Sequence, residues 1–364
     1  MSVHVRPAIA DLPAYKPGRS AADLARELGM SHAIKLASNE IAYPPLPSVV
    51  AAIAEAAAGI NRYPDNGAAE LTAALSLRFD LPAEAIAVGC GSVSLCQQLL
   101  QSYAGPGDEV LVAWRSFEAY PLLVTVAGAA LRPVPLRDQT HDPDAMAAAV
   151  NDATRVVFVC NPNNPTGTAL GSAALHRLLD SVGPDVLVVI DEAYREFVTD
   201  PDIPDGRELM RGRPNVCVLR TFSKAYGLAG LRVGYLLAED PAIATAVRKT
   251  YVPFSVSTLA QVAAVASLAA EDEMRERCAA VVVERDRVSA ALADLGHPVP
   301  VSQANFVWLP LGPEALEFGA FCESRGVIVR PFSGDGARVT IGQPAENDAF
   351  LAAVADWRAT PRSP

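Results

Sequence analysis

The sequence of 364 residues predicts an α/β protein with a large, mostly parallel sheet and a smaller α+β unit after it. Apolar residues run almost without interruption through 156–160 and 186–190, as they do in parallel strands that helices cover on both faces. From about residue 40 to residue 250, such strand-like runs alternate with helical segments. The length is sufficient for two domains.

The remaining elements extend this division along the chain. Residues 1–30 predict an arm containing proline and a short helix, and 258–295 predict a long helical stretch. Three strands and a closing amphipathic helix are predicted after it, at 305–309, 326–331, 338–342 and 345–357. The predicted parts are an arm that belongs partly to the small domain (1–35), a large domain (36–255) and a C-terminal small domain (256–364).

Lys224 is the residue most indicative of chemistry. It follows the strand-like run 215–220, and apolar residues and glycines surround it. An amine at the end of a buried strand is suited to a Schiff base with an aldehyde cofactor, whose phosphate Ser223 and Arg232, an arginine predicted to lie in the next strand, would hold. Pyridoxal phosphate carries both groups. Taken by itself, a lysine here is more often an ordinary solvated side chain, and the other motifs reverse that reading.

Asn164 and Asp191 lie at or just beyond the ends of two further strand-like runs. Ligands of parallel α/β sheets bind at the carboxyl ends of the strands, so one sheet would bring Asn164, Asp191 and Lys224 to a common edge. An anionic Asp191 would keep a pyridine nitrogen protonated, and Tyr194 and Asn164 can hydrogen-bond the ring's phenolic oxygen. Singly, Asn164 is also compatible with a turn and Asp191 with a helix N-cap.

A glycine-containing segment precedes a helical pattern near residue 92. Gly89 and Gly91 come first, and Ser92 is the predicted N-cap. Free amides and the helix dipole at such a start bind phosphate. The motif is weak by itself because Gly-x-Gly-Ser also occurs in plain turns.

Taken together, these motifs resemble fold-type I pyridoxal-phosphate transferases, specifically the histidinol-phosphate aminotransferase branch. Within that branch the chain is most similar to aromatic amino acid (phenylalanine) aminotransferases of actinobacterial type. The similarity runs from about residue 6 to residue 357. The segments that carry it are 35–40, 62–66, 89–94, 114–120, 161–168, 191–194, 221–234, 302–308 and 337–341.

The resemblance implies roles for individual residues. The catalytic group would be Lys224 as Schiff-base lysine and proton shuttle, Asp191 on the pyridinium, and Tyr194. Cofactor binding would use Ser92, Val93, Phe117, Asn164, Asp191, Tyr194, Thr221, Ser223, Lys224, Arg232 and, from the neighbouring subunit of a homodimer, Tyr63. Substrate binding would use Tyr15, Asn164, Arg330 and Arg338, with Arg338 on the carboxylate. Without the family, Phe117 is equally compatible with a core residue and Arg330 with an exposed strand end.

Composition and charge exclude several classes of protein. The net charge of −11 disfavours binding to nucleic acid. No apolar stretch has the length of a membrane span, and the first residues contain no apolar signal core. Six scattered cysteines are typical of a reduced, cytoplasmic protein. The five histidines lack metal-ligand spacing, so we expect no metal.

The predicted function is transamination of aromatic L-amino acids, namely phenylalanine, tyrosine and, as a further candidate, tryptophan, with 2-oxoglutarate. The nearest alternative is histidinol-phosphate aminotransferase, which performs the same chemistry on another substrate. Two others are a phosphate-ester decarboxylase of the same fold type and a non-catalytic regulator that binds pyridoxal phosphate. The regulator is disfavoured because the chain has no room for an added DNA-binding domain.

Overall fold

The structure is a computed structural model that describes residues 4–12 and 19–359. The strands are β1 (Ile34–Lys35), β2 (Ile86–Gly89), β3 (Glu109–Trp114), β4 (Ala130–Pro135), β5 (Thr154–Cys160), β6 (Leu187–Asp191), β7 (Val216–Thr221), β8 (Gly234–Ala238), β9 (Phe306–Leu309), β10 (Val327–Ile328), β11 (Arg330–Phe332) and β12 (Gly336–Thr340).

The α-helices of the described residues lie between and after these strands. They are α1 (Pro7–Ala10), α2 (Ala21–Leu28), α3 (Pro47–Ala56), α4 (Ala69–Phe79), α5 (Ser92–Tyr103), α6 (Ala119–Ala127), α7 (Pro143–Ala149), α8 (Ser172–Ser181), α9 (Gly206–Met210), α10 (Pro241–Lys249), α11 (Thr258–Ala269), α12 (Glu271–Asp294), α13 (Ala315–Ser324) and α14 (Pro344–Ala359). Short 3-10 helices occur at Ala57–Gly59, Ala83–Ala85, Arg195–Phe197, Ala229–Leu231 and Gly312–Glu314.

A seven-stranded sheet forms the larger part of the molecule, in the order β2-β8-β7-β6-β5-β3-β4. Strand β8 runs antiparallel to β2 and β7, and the other neighbouring pairs are parallel. Side chains of β5 alternate between two apolar clusters, with Val157 and Val159 in one and Val156 and Phe158 in the other. Both faces of the sheet are therefore covered, which confirms the mostly parallel sheet predicted from the uninterrupted apolar runs.

Two smaller sheets complete the fold. Strands β11, β12 and β9 form an antiparallel sheet in that order. Strand β1 pairs in parallel with β10, with Ile34 opposite Val327, so a segment near the N-terminus joins one near the C-terminus. The domain limits at residues 35 and 255 stay a prediction.

The helical stretch predicted at 258–295 consists of two helices that meet at Ala270. Helix α11 ends at Ala269, and Ala270 has φ −102° and ψ 36° before α12 begins. The first turn of α12 contains Glu271, Asp272 and Glu273. Three consecutive carboxylates favour a helix N-terminus through the helix dipole, and this signal is independent of apolar periodicity.

Strand register brings the ends of five strands to one edge of the large sheet. Asp191 at the end of β6 lies opposite Cys160 of β5 and Leu219 of β7. On the other side, Gly234 of β8 lies opposite both Thr221 and Gly89. A Cβ atom at position 234 would come within 2.7 Å of the Ser92 backbone nitrogen, so glycine is required for α5 to begin this close to the sheet.

Candidate active site

A cavity of about 320 Å³ opens at the carboxyl edge of the large sheet and extends to β11 and β12. The predicted site residues that line it are Ser92, Val93, Phe117, Asn164, Asp191, Tyr194, Thr221, Ser223, Lys224, Arg232, Arg330 and Arg338. Tyr63 does not line it, and Tyr15 lies outside the described residues.

Asp191 is a buried carboxylate, and one of its two oxygens already accepts a hydrogen bond from another side chain. Its Oδ2 accepts a hydrogen bond from the Tyr120 hydroxyl at 2.7 Å, and its Oδ1 has no hydrogen-bond partner among the described residues. Burial raises the pKa of Asp191 to about 6, although the Tyr120 hydrogen bond opposes this. A cationic donor at Oδ1 would offset the cost of burying the charge.

The Lys224 amine is placed to be neutral close to pH 7. Burial lowers the pKa of Lys224 to about 7, and the positive charge of Arg338 lowers it further, while Glu40 opposes the shift. The Lys224 Nζ donates to the Ser38 carbonyl oxygen at 3.2 Å and lies 6.0 Å from the centre of the Tyr194 ring. A neutral amine is both a nucleophile and a base.

Tyr194 is held by the side-chain amide of Asn39, which also lines the cavity. The Asn39 Nδ2 donates to the Tyr194 hydroxyl at 3.0 Å. The Thr340 hydroxyl donates to Asn39 Oδ1 at 3.0 Å and accepts from the Asn39 backbone nitrogen at 2.9 Å. Thr340 of β12 therefore fixes the orientation of the Asn39 amide, and this amide in turn fixes the position of the Tyr194 hydroxyl.

Arg338 connects β12 to the loop after β5. Its Nη1 donates to Asn164 Oδ1 and its Nη2 to the Ala37 carbonyl oxygen, both at 2.6 Å. Because Asn164 Oδ1 faces the guanidinium, the amide nitrogen of Asn164 is left to donate elsewhere. These contacts place a buried cation and an oriented amide side by side in the cavity.

Arg232, Ser223 and the start of α5 converge at one end of the cavity. The Arg232 Nη1 lies 3.4 Å from Ser223 Oγ, and Thr221 Oγ1 donates to the same oxygen at 3.0 Å. A Cβ atom on Gly91, whose φ is 79°, would come within 2.6 Å of Arg232 Nη2. The free amides of a twelve-residue helix and a guanidinium therefore face the same space, which suits an anion.

Arg232, Ser223 and the start of α5 form a cradle for an anion, and two of its details differ from the sequence-based prediction. The N-cap of α5 is Gly91, and Ser92 is the first helical residue. The cap residue lies so close to the Arg232 guanidinium that only glycine, which has no side chain, fits there. Arg232 also does not lie in a strand, because it ends a 3-10 turn with φ 58° before β8 begins.

The outer part of the cavity contains an ion pair and an aromatic contact. Glu118 lines the cavity and binds Arg330 at 3.0 Å. The neighbouring Phe117 packs edge-on against Tyr120 with ring centres 5.4 Å apart. Sequence reasoning did not assign Glu118 or Asn39 to the site, although both lie inside motifs, at 114–120 and 35–40, that carry the family resemblance.

Tyr63 lies on the surface, with 82 % of its area exposed, and stacks on Phe254 with ring centres 4.7 Å apart.

Among residues 4–12 and 19–359, no group of three or more His, Cys, Asp or Glu side chains is placed to hold a metal ion. No helix in that part of the chain is long and apolar enough to span a membrane.

Comparisons with known proteins agree with this geometry. The family model for aminotransferase class I and II matches residues 31–354. An aromatic amino acid aminotransferase of Thermobifida fusca is 60% identical over 96% of this chain and 95% of its own length. One from Mycobacteroides abscessus is 58% identical over 98% of this chain and 100% of its own. A histidinol-phosphate aminotransferase from Sinorhizobium meliloti, solved with pyridoxal-5'-phosphate, superimposes with a TM-score of 0.89 at 29% identity, covering 99% of this chain and 98% of that one.

Proposed function

Since the chain belongs to the class I and II aminotransferases, we propose that it transfers the amino group of aromatic L-amino acids to 2-oxoglutarate. Phenylalanine and tyrosine are the preferred donors, and the products are aromatic 2-oxo acids and L-glutamate. The cofactor is pyridoxal phosphate. The 60% and 58% identical relatives named for aromatic amino acids support this substrate class.

The residues of the cavity fit pyridoxal phosphate. The unpartnered Oδ1 of Asp191 would take the protonated ring nitrogen, and the cradle of Ser92, Ser223 and Arg232 would take the phosphate. When bound, the cofactor supplies an aldehyde carbon for the amino group and a ring that withdraws electrons. Phe117 would cover one face of that ring, and Tyr194 and Asn164 would donate to its phenolic oxygen.

The protein's own residues supply binding, orientation and proton transfer. Arg338 would bind the substrate α-carboxylate, because its guanidinium is buried and fixed beside Asn164. Lys224 would bind the aldehyde carbon through Nζ and, once released, take the α-proton on the same nitrogen. Its pKa of about 7 makes a large share of that amine neutral near physiological pH.

Val93 is the observation that carries the aromatic assignment. It lines the cavity at the first turn of α5, where a polar side chain would suit an imidazole. Leaving a buried imidazole without a hydrogen-bond partner costs about 1–3 kcal/mol. A phenyl ring gains from apolar and aromatic neighbours such as Val93 and Phe117.

We further propose a cytoplasmic homodimer. All six cysteines are unpaired, as in a reducing compartment. Tyr63 is exposed and does not line the cavity of its own subunit, so it would serve the cofactor phosphate of the partner's site.

The experiment that tests the substrate class compares kcat/KM for phenylalanine, tyrosine and histidinol phosphate, each with 2-oxoglutarate. We expect the aromatic donors to be favoured. The structural likeness to the Sinorhizobium meliloti enzyme makes histidinol phosphate the second candidate. A tenfold preference for it, about 1.4 kcal/mol in transition-state binding, would replace the aromatic assignment.

A further inference from the structure

The outer wall of the cavity carries a cation that already has a carboxylate partner. Arg330, at the start of β11, binds Glu118 at 3.0 Å, and both side chains line the cavity. Glu118 is the residue that immediately precedes α6, on the large-sheet side. Their side chains are 26% and 34% exposed, so the pair is reachable from the solvent and from the cavity.

Arg330 differs from the deeper Arg338 in its partner. Arg338 donates to two neutral oxygens, those of Asn164 and the Ala37 carbonyl. Arg330 can bind a second carboxylate at the same position only if Glu118 leaves. The guanidinium of Arg330 also lies over the Phe332 ring, 5.8 Å from its centre, which holds the arginine in place during such an exchange.

A transaminase of the proposed specificity must accept two unlike side chains in one cavity. An aromatic donor brings an uncharged ring, whereas 2-oxoglutarate and glutamate bring a second carboxylate. An uncharged ring gives the Arg330 guanidinium no anionic partner, whereas a fixed counter-ion repels the second carboxylate. A counter-ion that can leave satisfies both requirements.

We propose that Glu118 is a displaceable counter-ion of Arg330 that determines the substrate range, staying on Arg330 when an aromatic side chain is bound and yielding to the side-chain carboxylate of a dicarboxylate. This inference rests on the proposed function. The released Glu118 turns to solvent at small cost because its side chain is already one-third exposed. Glu118 is therefore a specificity-determining residue, and it takes no part in proton transfer.

The chain contains a matched control for the alternative that Glu118 only ties the two parts of the protein together. Arg115, just after β3, pairs with Asp335 between β11 and β12 at 2.5 Å, with side chains 22% and 43% exposed. That pair bridges the same two regions, and neither of its residues lines the cavity. Asp335→Asn therefore removes a comparable bridge and leaves Arg330 unchanged.

The test measures binding of two unreactive probes to the holoenzyme by calorimetry, namely glutarate and 3-phenylpropanoate. In Glu118→Gln we expect glutarate to bind roughly fivefold tighter and 3-phenylpropanoate severalfold weaker. A fivefold change corresponds to about the largest interaction energy found for a partly exposed ion pair. Asp335→Asn should keep the wild-type ratio of the two affinities. In an Arg330→Gln background, Glu118→Gln should no longer change the affinity for glutarate.

The proposal would be overturned if the ratio of the glutarate affinity to the 3-phenylpropanoate affinity changed equally in Glu118→Gln and in Asp335→Asn. It would also be overturned if Glu118→Gln bound glutarate within twofold of the wild-type affinity. These binding results do not depend on turnover. A failure of the proposed function would instead show as a wild-type enzyme that does not use phenylalanine, and the two failures are therefore distinguishable.

Discussion

The side-chain nitrogen of Asn39 donates a hydrogen bond to the hydroxyl of Tyr194 across 3.0 Å. The direction is fixed, because the Thr340 hydroxyl accepts from the Asn39 backbone and donates to Asn39 Oδ1. Tyr194 must then accept from Asn39, and its own proton remains for an acceptor in the cavity. Asn39 is thus a positioning residue for Tyr194.

Asn39→Asp should reverse this hydrogen bond, because a carboxylate takes the Tyr194 proton. We expect the affinity for pyridoxal phosphate, measured by equilibrium dialysis, to fall roughly tenfold, as for loss of one buried hydrogen bond. Thr340→Ser keeps the hydroxyl and serves as control. An affinity of Asn39→Asp within twofold of wild type would contradict the assigned direction.

Lys224→Met should stabilise the cofactor-free protein in a pH-dependent way. The pKa of Lys224 falls from its ordinary value of 10.5 to about 7 on folding, so the folded state carries a buried charge below pH 7. The destabilisation is complete below pH 7 and disappears as the pH rises toward 10.5. We expect a gain of roughly 1–3 kcal/mol in the free energy of unfolding at pH 6, and a smaller gain at pH 9.

Urea unfolding of both cofactor-free proteins at pH 6, 7.5 and 9 checks this expectation. A gain that is constant with pH would show that the amine titrates normally and that the methionine acts only through packing.

Asp191→Asn should slow removal of the substrate α-proton far more than it weakens substrate binding. The amide cannot balance a protonated ring nitrogen, so the ring would withdraw electrons less strongly. Single-turnover kinetics with phenylalanine should show a loss on the order of 10²-fold or more. Proton removal at the wild-type rate would place the carboxylate away from the ring nitrogen.

Val93→Asn should shift the enzyme toward histidinol phosphate, because the new amide can pair with an imidazole in the cavity. We expect the ratio of kcat/KM for histidinol phosphate to that for phenylalanine to rise at least tenfold. Val93→Leu, which keeps an apolar side chain, is the control. A similar ratio in both variants would mean that residue 93 does not face the substrate side chain.

Tyr63 and Lys224 variants should complement each other. If Tyr63 serves the partner's site, mixing inactive Lys224→Ala with an inactive Tyr63→Ala protein produces heterodimers with one intact site. We expect activity to return to at most one quarter of the wild-type value, given one working site in half of the dimers. An active monomer in sedimentation at assay concentration would rule out this arrangement.

The strands and the residues at their ends were predictable because their signals are local. The apolar runs before Asp191 and Lys224 specify buried parallel strands, and such strands present their carboxyl ends at one edge. The resemblance to a known family supplied the roles of Arg330 and Arg338, which no local pattern indicates.

Contacts between distant segments could not be predicted in the same way. Glu118 and Arg330 are 212 positions apart, and Asn39 and Tyr194 are 155 positions apart. Whether such polar side chains meet depends on how the small sheets pack against the large one, and neither periodicity nor turn residues record that packing. The Gly91 cap was missed for a similar reason, since only the position of Arg232 shows why a side chain is excluded there.

The pairing of β1 with β10 sets the order in which the protein can be completed during synthesis. All seven strands of the large sheet lie between Ile86 and Ala238, so that sheet can form once this segment has left the ribosome. Ile34 has no strand partner until Val327 emerges, nearly 300 residues later. Closing so long a loop is slow. The nascent chain can therefore contain the strands that carry Asp191 and Lys224 before Arg330 and Arg338 exist.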